Sequence, residues 1–234
     1  EIGLNLFKSI MKNPKQLIFP FSIDKKSSLS KFFIPFGSES LVKALSMKNG
    51  DDIVISGNKG VGKSYLLQSV CNDHSSDSFS VSYIPLREAI KLQPVLLEGL
   101  ESLDIVCIDD LQKIASNKEW QVACFNLINR CSESGCRLIF SCMQGEDKFF
   151  PDLLSRLKKM TNYKINPTPD IQLADALKFI ASNLRIPIED REINFLLNTY
   201  SRDLPKLIVL LKKIDSFSME SKRKITIPLI KELL

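Results

Sequence analysis

Residues 57–64 combine residue types at a spacing suited to binding phosphate. The run GNKGVGKS follows the apolar stretch IVIS and precedes a segment whose apolar residues have helical spacing. Its three glycines allow successive backbone N–H groups to turn inward around phosphate oxygens, and the following helix presents its positive end to the same charge. Strand, GxxxxGKS and helix in this order are typical of a P-loop. A glycine turn beside a surface lysine is the alternative.

Each residue of this loop has an expected role. Lys63 reaches the β- and γ-phosphates, and the Ser64 hydroxyl binds Mg²⁺. We therefore predict that the chain binds ATP or ADP together with Mg²⁺. The expected nucleotide-binding residues are Gly57, Asn58, Lys59, Gly60, Val61, Gly62, Lys63, Ser64 and Tyr65.

A pair of carboxylates supplies the second part of such a site. In SLDIVCIDDLQKI, the apolar residues 103–108 form a predicted strand that ends in Asp109 and Asp110. The carboxyl ends of parallel strands meet at one edge of a sheet, so we expect these carboxylates beside the P-loop. Asp109 would hold Mg²⁺, directly or through water, and Asp110 would orient the attacking water. Alone, the pair could simply be a solvated strand end.

The elements that must position these residues alternate between strand and helix. Residues 52–56, 103–108, 137–142 and 163–167 are predicted strands, and residues 119–134 form a helix with an apolar face through Val122, Phe125 and Ile128. This alternation indicates an α/β fold with a doubly wound parallel sheet and helices on both faces.

From residue 170 the pattern contains helices only, at 171–184, 191–200, 204–217 and 227–234. The stretch NPTPD, residues 166–170, marks the boundary. We therefore expect an N-terminal segment (1–27), a nucleotide-binding α/β domain (28–167) and a small all-helical domain (168–234).

Composition excludes several classes of protein. The 234 residues carry a formal net charge of +5, and no apolar run approaches the roughly 18 residues that a membrane span needs. Six cysteines without CxxC spacing and a single histidine argue against a metal site, a disulfide framework and a histidine-based triad. We expect buried free thiols, a solvated His74 in the polar run NDHSSDS, and a cytoplasmic protein. Lys222, Arg223 and Lys224 form either a solvated turn or a DNA contact.

Taken together, the P-loop, the paired aspartates, LLSRL at 153–157 and SRDL at 201–204 resemble the AAA+ ATPases, and within them the bacterial replication initiator DnaA, from about residue 28 onward. The resemblance implies that the helical domain is a lid. It also implies that Ser141 occupies the sensor 1 position, that Arg156 is an arginine finger and that Arg202, as sensor 2, binds nucleotide. Three aromatic residues in KFFIPFG could line the adenine side of the site or belong to the core: Phe32, Phe33 and Phe36.

Residues 16–21, QLIFPF, are similar to the QLxLPL-type motif with which bacterial proteins dock on the DNA polymerase sliding clamp. Gln16 could bond at the rim of a pocket, while Leu17, Phe19 and Phe21 would supply apolar anchors. The proline keeps the backbone extended and lowers the entropy lost on docking. The alternative is that these residues cover the domain's own surface.

A clamp-docking peptide joined to a DnaA-like module resembles the Hda family, the regulatory inactivators of DnaA. The resemblance implies an ADP-bound protein that docks on the DNA-loaded clamp and stimulates hydrolysis of DnaA-bound ATP through an arginine finger in trans. DNA would be contacted indirectly, through the clamp. Since the sequence stops at KELL, we expect no helix-turn-helix origin-binding domain. The resemblance leaves open slow ATP hydrolysis by the chain itself and homodimer formation.

Three alternatives to that function remain at this point. A helicase loader of the DnaA/DnaC-like type would bind the replicative helicase, and QLIFPF would then be incidental. A stand-alone AAA+ ATPase would turn over ATP rapidly by itself. A membrane-associated regulator of the same fold is the third, although no amphipathic basic helix supports it.

Overall fold

The computed structural model of the protein describes residues 21–145 and 148–234. Three residues of the expected clamp-docking set, Gln16, Leu17 and Phe19, lie outside the described residues. The described chain forms a five-stranded parallel sheet in the order β2-β3-β4-β1-β5. Its strands are β1 (Ile53–Gly57), β2 (Val81–Pro85), β3 (Ile105–Asp109), β4 (Arg137–Met143) and β5 (Thr161–Ile165).

Helices connect these strands and then form the C-terminal region. The α-helices are α1 (Glu39–Leu45), α2 (Lys63–His74), α3 (Leu86–Ala89), α4 (Lys118–Ser134), α5 (Pro151–Lys159), α6 (Leu173–Leu184), α7 (Asp190–Thr199), α8 (Leu204–Ser221) and α9 (Ile227–Leu233). Short 3₁₀ helices lie at Leu29–Lys31, Pro94–Leu97, Leu100–Ser102, Leu111–Ile114 and Asp170–Gln172.

Apolar side chains cover both faces of the sheet, because the strands are buried from both sides. On one face, alternate strand residues pack with α4 and α5; on the other, they pack with α1 and α2. This layering confirms the predicted α/β fold with a doubly wound parallel sheet. Helices α6 to α9 enclose a separate apolar cluster of their own. We refer to these four helices as the lid.

The strand that leads into the phosphate loop and the strand that ends in Asp109 are not neighbours in the sheet. Strand β3, which ends in Asp109, does not pair with β1; strand β4 lies between them. In the register of this sheet, Ile55 of β1 lies opposite Ser141 of β4, and Ile108 of β3 lies opposite Phe140. The β4 side chains therefore separate the P-loop from the aspartates and can contact both.

Helix α4 begins and ends as its sequence suggests, but its buried face differs from the predicted one. The Asn117 side chain accepts the Trp120 N–H at 3.2 Å, and Gly135 ends the helix in the left-handed conformation. Val122, which we expected on the apolar face, is 40% exposed. Ile128 lies on the buried face as predicted, with Trp120, Cys124, Leu127 and Cys131 as the rest of the row, and Phe125 is half-buried at its margin.

His74 is buried, so the prediction of a solvated loop residue is wrong. It lies in the last turn of α2, 5% exposed, with Nε2 2.8 Å from the carbonyl oxygen of Leu45. The polar residues after it are exposed, but the helix turns the imidazole toward the end of α1. The expectation of free thiols is confirmed, and five of the six cysteines are buried; Cys142 is half-buried.

No helix within residues 21–145 or 148–234 is long and apolar enough to cross a membrane.

Candidate nucleotide-binding site

The P-loop has the backbone conformation that its glycines allow. Gly60 and Gly62 have φ angles of 85° and 99°, in the left-handed region that favours glycine. The first backbone hydrogen bond of α2 runs from the Leu66 N–H to the Gly62 carbonyl, at 2.9 Å. The N–H groups at the start of this helix therefore lack helical acceptors and face the loop, as an anion site at a helix N-terminus requires.

The Lys63 ammonium donates hydrogen bonds to the loop that precedes it. The side chain is 7% exposed, and Nζ donates to the carbonyl oxygens of Gly57 and Asn58 at 2.7 and 2.8 Å. Burial lowers the pKa of Lys63, while the nearby carboxylates of Asp110 and Asp109 act in the opposite direction. The cation thus lies between the phosphate loop and the two aspartates, where a phosphate chain would meet it.

Asp109 is held at both carboxylate oxygens. It is 2% exposed; the Ser141 hydroxyl donates to its Oδ1, and the Tyr83 hydroxyl donates to its Oδ2 at 2.8 Å. Ser141 also accepts the N–H of Asp110 at 3.0 Å. The residue expected at the sensor 1 position is therefore in direct contact with both aspartates, which follows from the placement of β4 beside β3.

Asp110 adopts an unusual backbone conformation for a residue other than glycine, with φ 61° and ψ 48°. The Gln112 side chain donates to Asp110 Oδ1 at 2.8 Å and accepts the Met143 N–H at 3.0 Å. Gln112 therefore fixes Asp110 relative to the end of β4. A carboxylate held in this way can orient a water molecule at the edge of the sheet.

The oxygen ligands suit magnesium. The Ser64 hydroxyl is exposed and takes part in no hydrogen bond described for residues 21–145 and 148–234, and each Asp109 oxygen retains a lone pair beyond its one hydrogen bond. In that same part of the chain, no three His, Cys, Asp or Glu side chains form a metal cluster. Mg²⁺ at phosphate sites takes only one or two protein oxygens, with phosphate and water completing its shell. A hydroxyl and a carboxylate therefore fit this cation.

Aromatic residues pack beside the P-loop. A Cβ atom on Gly62 would lie 2.6 Å from Phe32 Cε2, and the Phe32 ring stacks on Tyr65 with centroids 5.9 Å apart. Phe32 and Phe33 line an apolar pocket of about 530 Å³ that also contacts Phe179 of the lid. Phe36 is 67% exposed and does not line this pocket. Of the three aromatic residues, two are thus placed for a flat apolar group.

The lid contacts the P-loop through the start of α8. A Cβ atom on Gly60 would lie 2.8 Å from Pro205 Cγ, so the loop and the helix touch. Arg202, just before α8, is exposed and forms an ion pair with Asp170, with Nη1 2.7 Å from Oδ2. The expected sensor 2 residue therefore lies three residues before the proline that contacts the P-loop, and its guanidinium pairs with a carboxylate just before the lid.

Arg156 lies apart from these residues. It is exposed on α5, and its Cζ atom is 5.9 Å from the centroid of the Phe125 ring on α4. Phe125 packs edge-on against Phe150, with centroids 5.7 Å apart. Helices α4 and α5 cover the face of the sheet opposite α2. The guanidinium is thus exposed beside the Phe125 ring, on a helix that covers the face of the sheet opposite α2.

Three contact residues have no signal in the sequence. Tyr83 lies on β2, a strand that the sequence analysis does not identify; Gln112 follows the paired aspartates without any motif; Pro205 reads only as a helix-start proline. The β-forming residues Val81, Tyr83 and Ile84 favour a short strand, but nothing in VSYIP indicates the partner of the tyrosine.

Comparison with known proteins identifies two family models along the chain. Residues 38–166, more than half of the chain, match the model of the bacterial DnaA ATPase domain, and residues 170–234 match the model of the Hda lid domain.

Solved structures share the fold at low sequence identity. Domain III of the Thermotoga maritima replication initiation protein DnaA is 19% identical, with a TM-score of 0.77, over 92% of this chain and 98% of that one. AMPPCP-bound DnaA from Aquifex aeolicus is 19% identical, with a TM-score of 0.72, over 86% of this chain and 68% of that one. The Thermotoga maritima RuvB Holliday junction branch migration motor is 17% identical, with a TM-score of 0.65, over 88% of this chain and 70% of that one. The chain thus has the AAA+ fold.

Proposed function

The chain belongs to the family of bacterial DnaA ATPase domains and carries a lid of the Hda type, and from this we propose that it is a negative regulator of replication initiation that acts on DnaA. The observation that carries the proposal is the joining of these two modules in one chain. The regulator docks on the DNA-loaded sliding clamp and stimulates hydrolysis of the ATP held by DnaA. It contacts DNA indirectly, through the clamp, and works in the bacterial cytoplasm.

Nucleotide binding is the first part of this function. Lys63 and the free N–H groups of α2 would bind the phosphates of ADP or ATP at the P-loop, and Ser64 and Asp109 would hold Mg²⁺. Mg²⁺ supplies charge neutralisation on the phosphates. The apolar pocket beside Phe32 accepts the base. A DnaA structure of the same fold was solved with AMPPCP, which supports this assignment.

Arg156 provides the activating group. It is exposed on a helix that covers the face of the sheet opposite α2, and this position favours a phosphate partner on another molecule. An arginine finger supplied in trans stabilises charge that develops in the transition state of phosphoryl transfer. Contact with Phe125 restricts the guanidinium before the partner arrives and lowers the entropy lost on docking.

Clamp docking uses residues 16–21. Of its expected anchors, Phe21 lies among the described residues and is half-buried against the cluster that packs on α4 and α5. Use of Phe21 by the clamp would exchange that contact for the clamp pocket. Gln16, Leu17 and Phe19 therefore form the principal anchors in this proposal, with Phe21 as the hinge to the domain.

The test of activation compares Arg156→Ala with the wild type in DnaA-bound ATP hydrolysis on DNA-loaded clamp. A lost finger lowers phosphoryl transfer about 10³-fold or more, so DnaA hydrolysis should return to its unstimulated rate. Lys158→Ala is the control, because it removes the same charge from an exposed position of the same helix. Equal loss in both variants would show that the helix only contributes positive charge and would contradict a finger role.

The test of docking compares a Gln16→Ala, Leu17→Ala, Phe19→Ala triple variant with the wild type in binding to purified clamp. We expect the wild type to bind and the variant to lose binding while keeping its affinity for nucleotide. A wild type that shows no clamp binding contradicts the docking proposal and favours the helicase-loader alternative.

A further inference from the structure

Residues 24–29, which we call the strap, run along helix α2. The Asn72 side chain donates to the carbonyl oxygens of Asp24 and Ser27 at 2.9 and 2.8 Å. Asp73 Oδ2 accepts the Leu29 N–H at 2.8 Å. The helix that begins at the P-loop therefore holds the strap by its polar face.

A chain of hydrogen bonds continues from the strap to Asp109. The Asp24 N–H donates to Gln68 Oε1 at 3.2 Å, and Gln68 Nε2 donates to the Tyr83 hydroxyl at 3.3 Å. The Tyr83 hydroxyl then donates to Asp109 Oδ2 at 2.8 Å. Every donor points the same way, toward the carboxylate, so each bond polarises the next one favourably.

The hydrogen bond from Tyr83 to Asp109 is buried, so no solvent molecule can take over its role. Tyr83 is 4% exposed and Asp109 is 2% exposed, so water cannot replace the phenol as a donor. A carboxylate oxygen can only accept, so in the 2.8 Å contact between the two side chains the phenol is the donor. Without this hydroxyl, Asp109 would keep Ser141 alone and could rotate about its side-chain bonds.

We propose that Tyr83 is a positioning residue for Mg²⁺–nucleotide binding, which orients Asp109, and that Gln68 links this orientation to the attachment of the strap. The inference rests on the proposed binding of nucleotide and Mg²⁺ at the P-loop. Outer-shell hydrogen bonds of this kind typically change metal affinity about 10- to 100-fold when they are removed.

The strap lies between the proposed clamp-docking segment and the hydrogen bonds that lead to Asp109. Residues 22–23 join residues 16–21 to the strap; Phe21 packs on one face of the sheet and Ile23 packs on the other. A partner that binds residues 16–21 and displaces Phe21 and Ile23 would next pull on Asp24, whose N–H binds Gln68. Docking and Mg²⁺–nucleotide affinity are then coupled through one side chain.

The experiment measures binding of the fluorescent probe mant-ADP to full-length protein in MgCl₂ and in EDTA. Tyr83→Phe should weaken binding in MgCl₂ about 10-fold and leave binding in EDTA unchanged, because only the metal-dependent part uses Asp109. Tyr163→Phe is the matched control, since it removes a phenol from β5 of the same sheet without touching Asp109.

Three outcomes overturn the proposal: no effect of Tyr83→Phe, an equal loss in MgCl₂ and EDTA, or the same loss in Tyr163→Phe. If Tyr83→Phe does not fold, Gln68→Leu serves as the second variant, with an expected loss of about 3-fold confined to MgCl₂, since it removes only one bond of the network; unchanged binding again overturns the proposal. A wild type that binds mant-ADP equally with and without Mg²⁺ contradicts the proposed Mg²⁺ site itself. Failure of the Tyr83 proposal can therefore be distinguished from failure of the proposed Mg²⁺ site.

The strap is tested by Asn72→Ala, which removes two of its anchors. In the wild-type background this variant should weaken binding in MgCl₂, and in the Tyr83→Phe background it should have no further effect, because both changes act on the same bond chain. Additive effects in the double variant would show that the strap acts by another route and would overturn the Gln68 link.

Discussion

At the scale of the residue, Ser141 connects the two aspartates by one hydroxyl. It is fully buried, donates to Asp109 and accepts the Asp110 N–H at 3.0 Å. Ser141→Ala leaves both partners without this bond in a site that excludes water. Because a buried unsatisfied group costs about 1–3 kcal/mol, we expect the free energy of unfolding to fall by that amount. Urea denaturation of the nucleotide-free protein measures it.

Ser116→Ala provides the reference for this change, since Ser116 is exposed and makes no described hydrogen bond in residues 21–145 and 148–234. It should lie within about 0.5 kcal/mol of the wild type. A Ser141→Ala variant as stable as Ser116→Ala would mean that the aspartates find other donors and that Ser141 is not a structural link.

What the sequence predicts at this scale depends on whether the partner is local. The P-loop glycines, Lys63 and the two aspartates lie in short runs whose chemistry can be recognised alone. Tyr83 cannot be recognised in this way, because its partner Asp109 comes from the next strand and the sequence gives no register. The prediction of a solvated His74 is wrong for the same reason. The sequence shows its polar neighbours, but it does not show that the imidazole packs against the Leu45 carbonyl.

At the scale of the element, the P-loop and α8 are in van der Waals contact. Gly60→Ala introduces a Cβ atom 2.8 Å from Pro205 Cγ at a φ of 85°. The left-handed backbone costs a residue with a side chain about 1–2 kcal/mol, and overpacking adds about 1–3 kcal/mol. We therefore expect a loss of unfolding free energy larger than backbone strain alone would produce, measured by urea denaturation.

Gly99→Ala separates the two contributions. Gly99 has a similar φ of 83°, but a Cβ atom there would meet nothing within 4 Å. The difference between the two variants therefore reports the lid contact, and adding Pro205→Ala to Gly60→Ala should remove it. Equal destabilisation by Gly60→Ala and Gly99→Ala would show that α8 withdraws from the loop without cost.

The order of the strands was less predictable than the strands themselves. Apolar runs and caps locate β1, β3, β4 and β5 and most helix ends to within a few residues. They contain no information that β4 lies between β1 and β3, because pairing in a parallel sheet joins residues far apart in the chain. The contact of Ser141 with Asp109 follows from that order and could be expected only from the family resemblance.

At the scale of the whole molecule, the ion pair of Asp170 and Arg202 competes with any role of Arg202 at the nucleotide. An exposed pair of this kind contributes about 0.2–1 kcal/mol, so its removal changes a competing equilibrium by at most about 5-fold. Asp170→Asn should therefore tighten binding of mant-ADP about 1.4- to 5-fold. Fluorescence titration in MgCl₂ measures this change.

Arg202→Ala removes the guanidinium itself and should weaken binding of mant-ADP. In that background Asp170→Asn should have no effect, since no guanidinium remains to be released. Tighter binding that persists without Arg202 would show that Asp170 acts by general charge, and would remove the reason to place Arg202 at the nucleotide.

The sheet order also governs when the molecule can assemble during its synthesis. Within residues 21–145 and 148–234, strand β1 pairs with β4 and β5, which begin at Arg137 and Thr161, so at least 79 residues must follow β1 before it has a partner. Until then IVISG is an unpaired apolar strand, the kind of segment that associates with other chains. We therefore expect the growing chain to be most prone to association over this interval, before β4 joins the strand of the phosphate loop to the strand of Asp109.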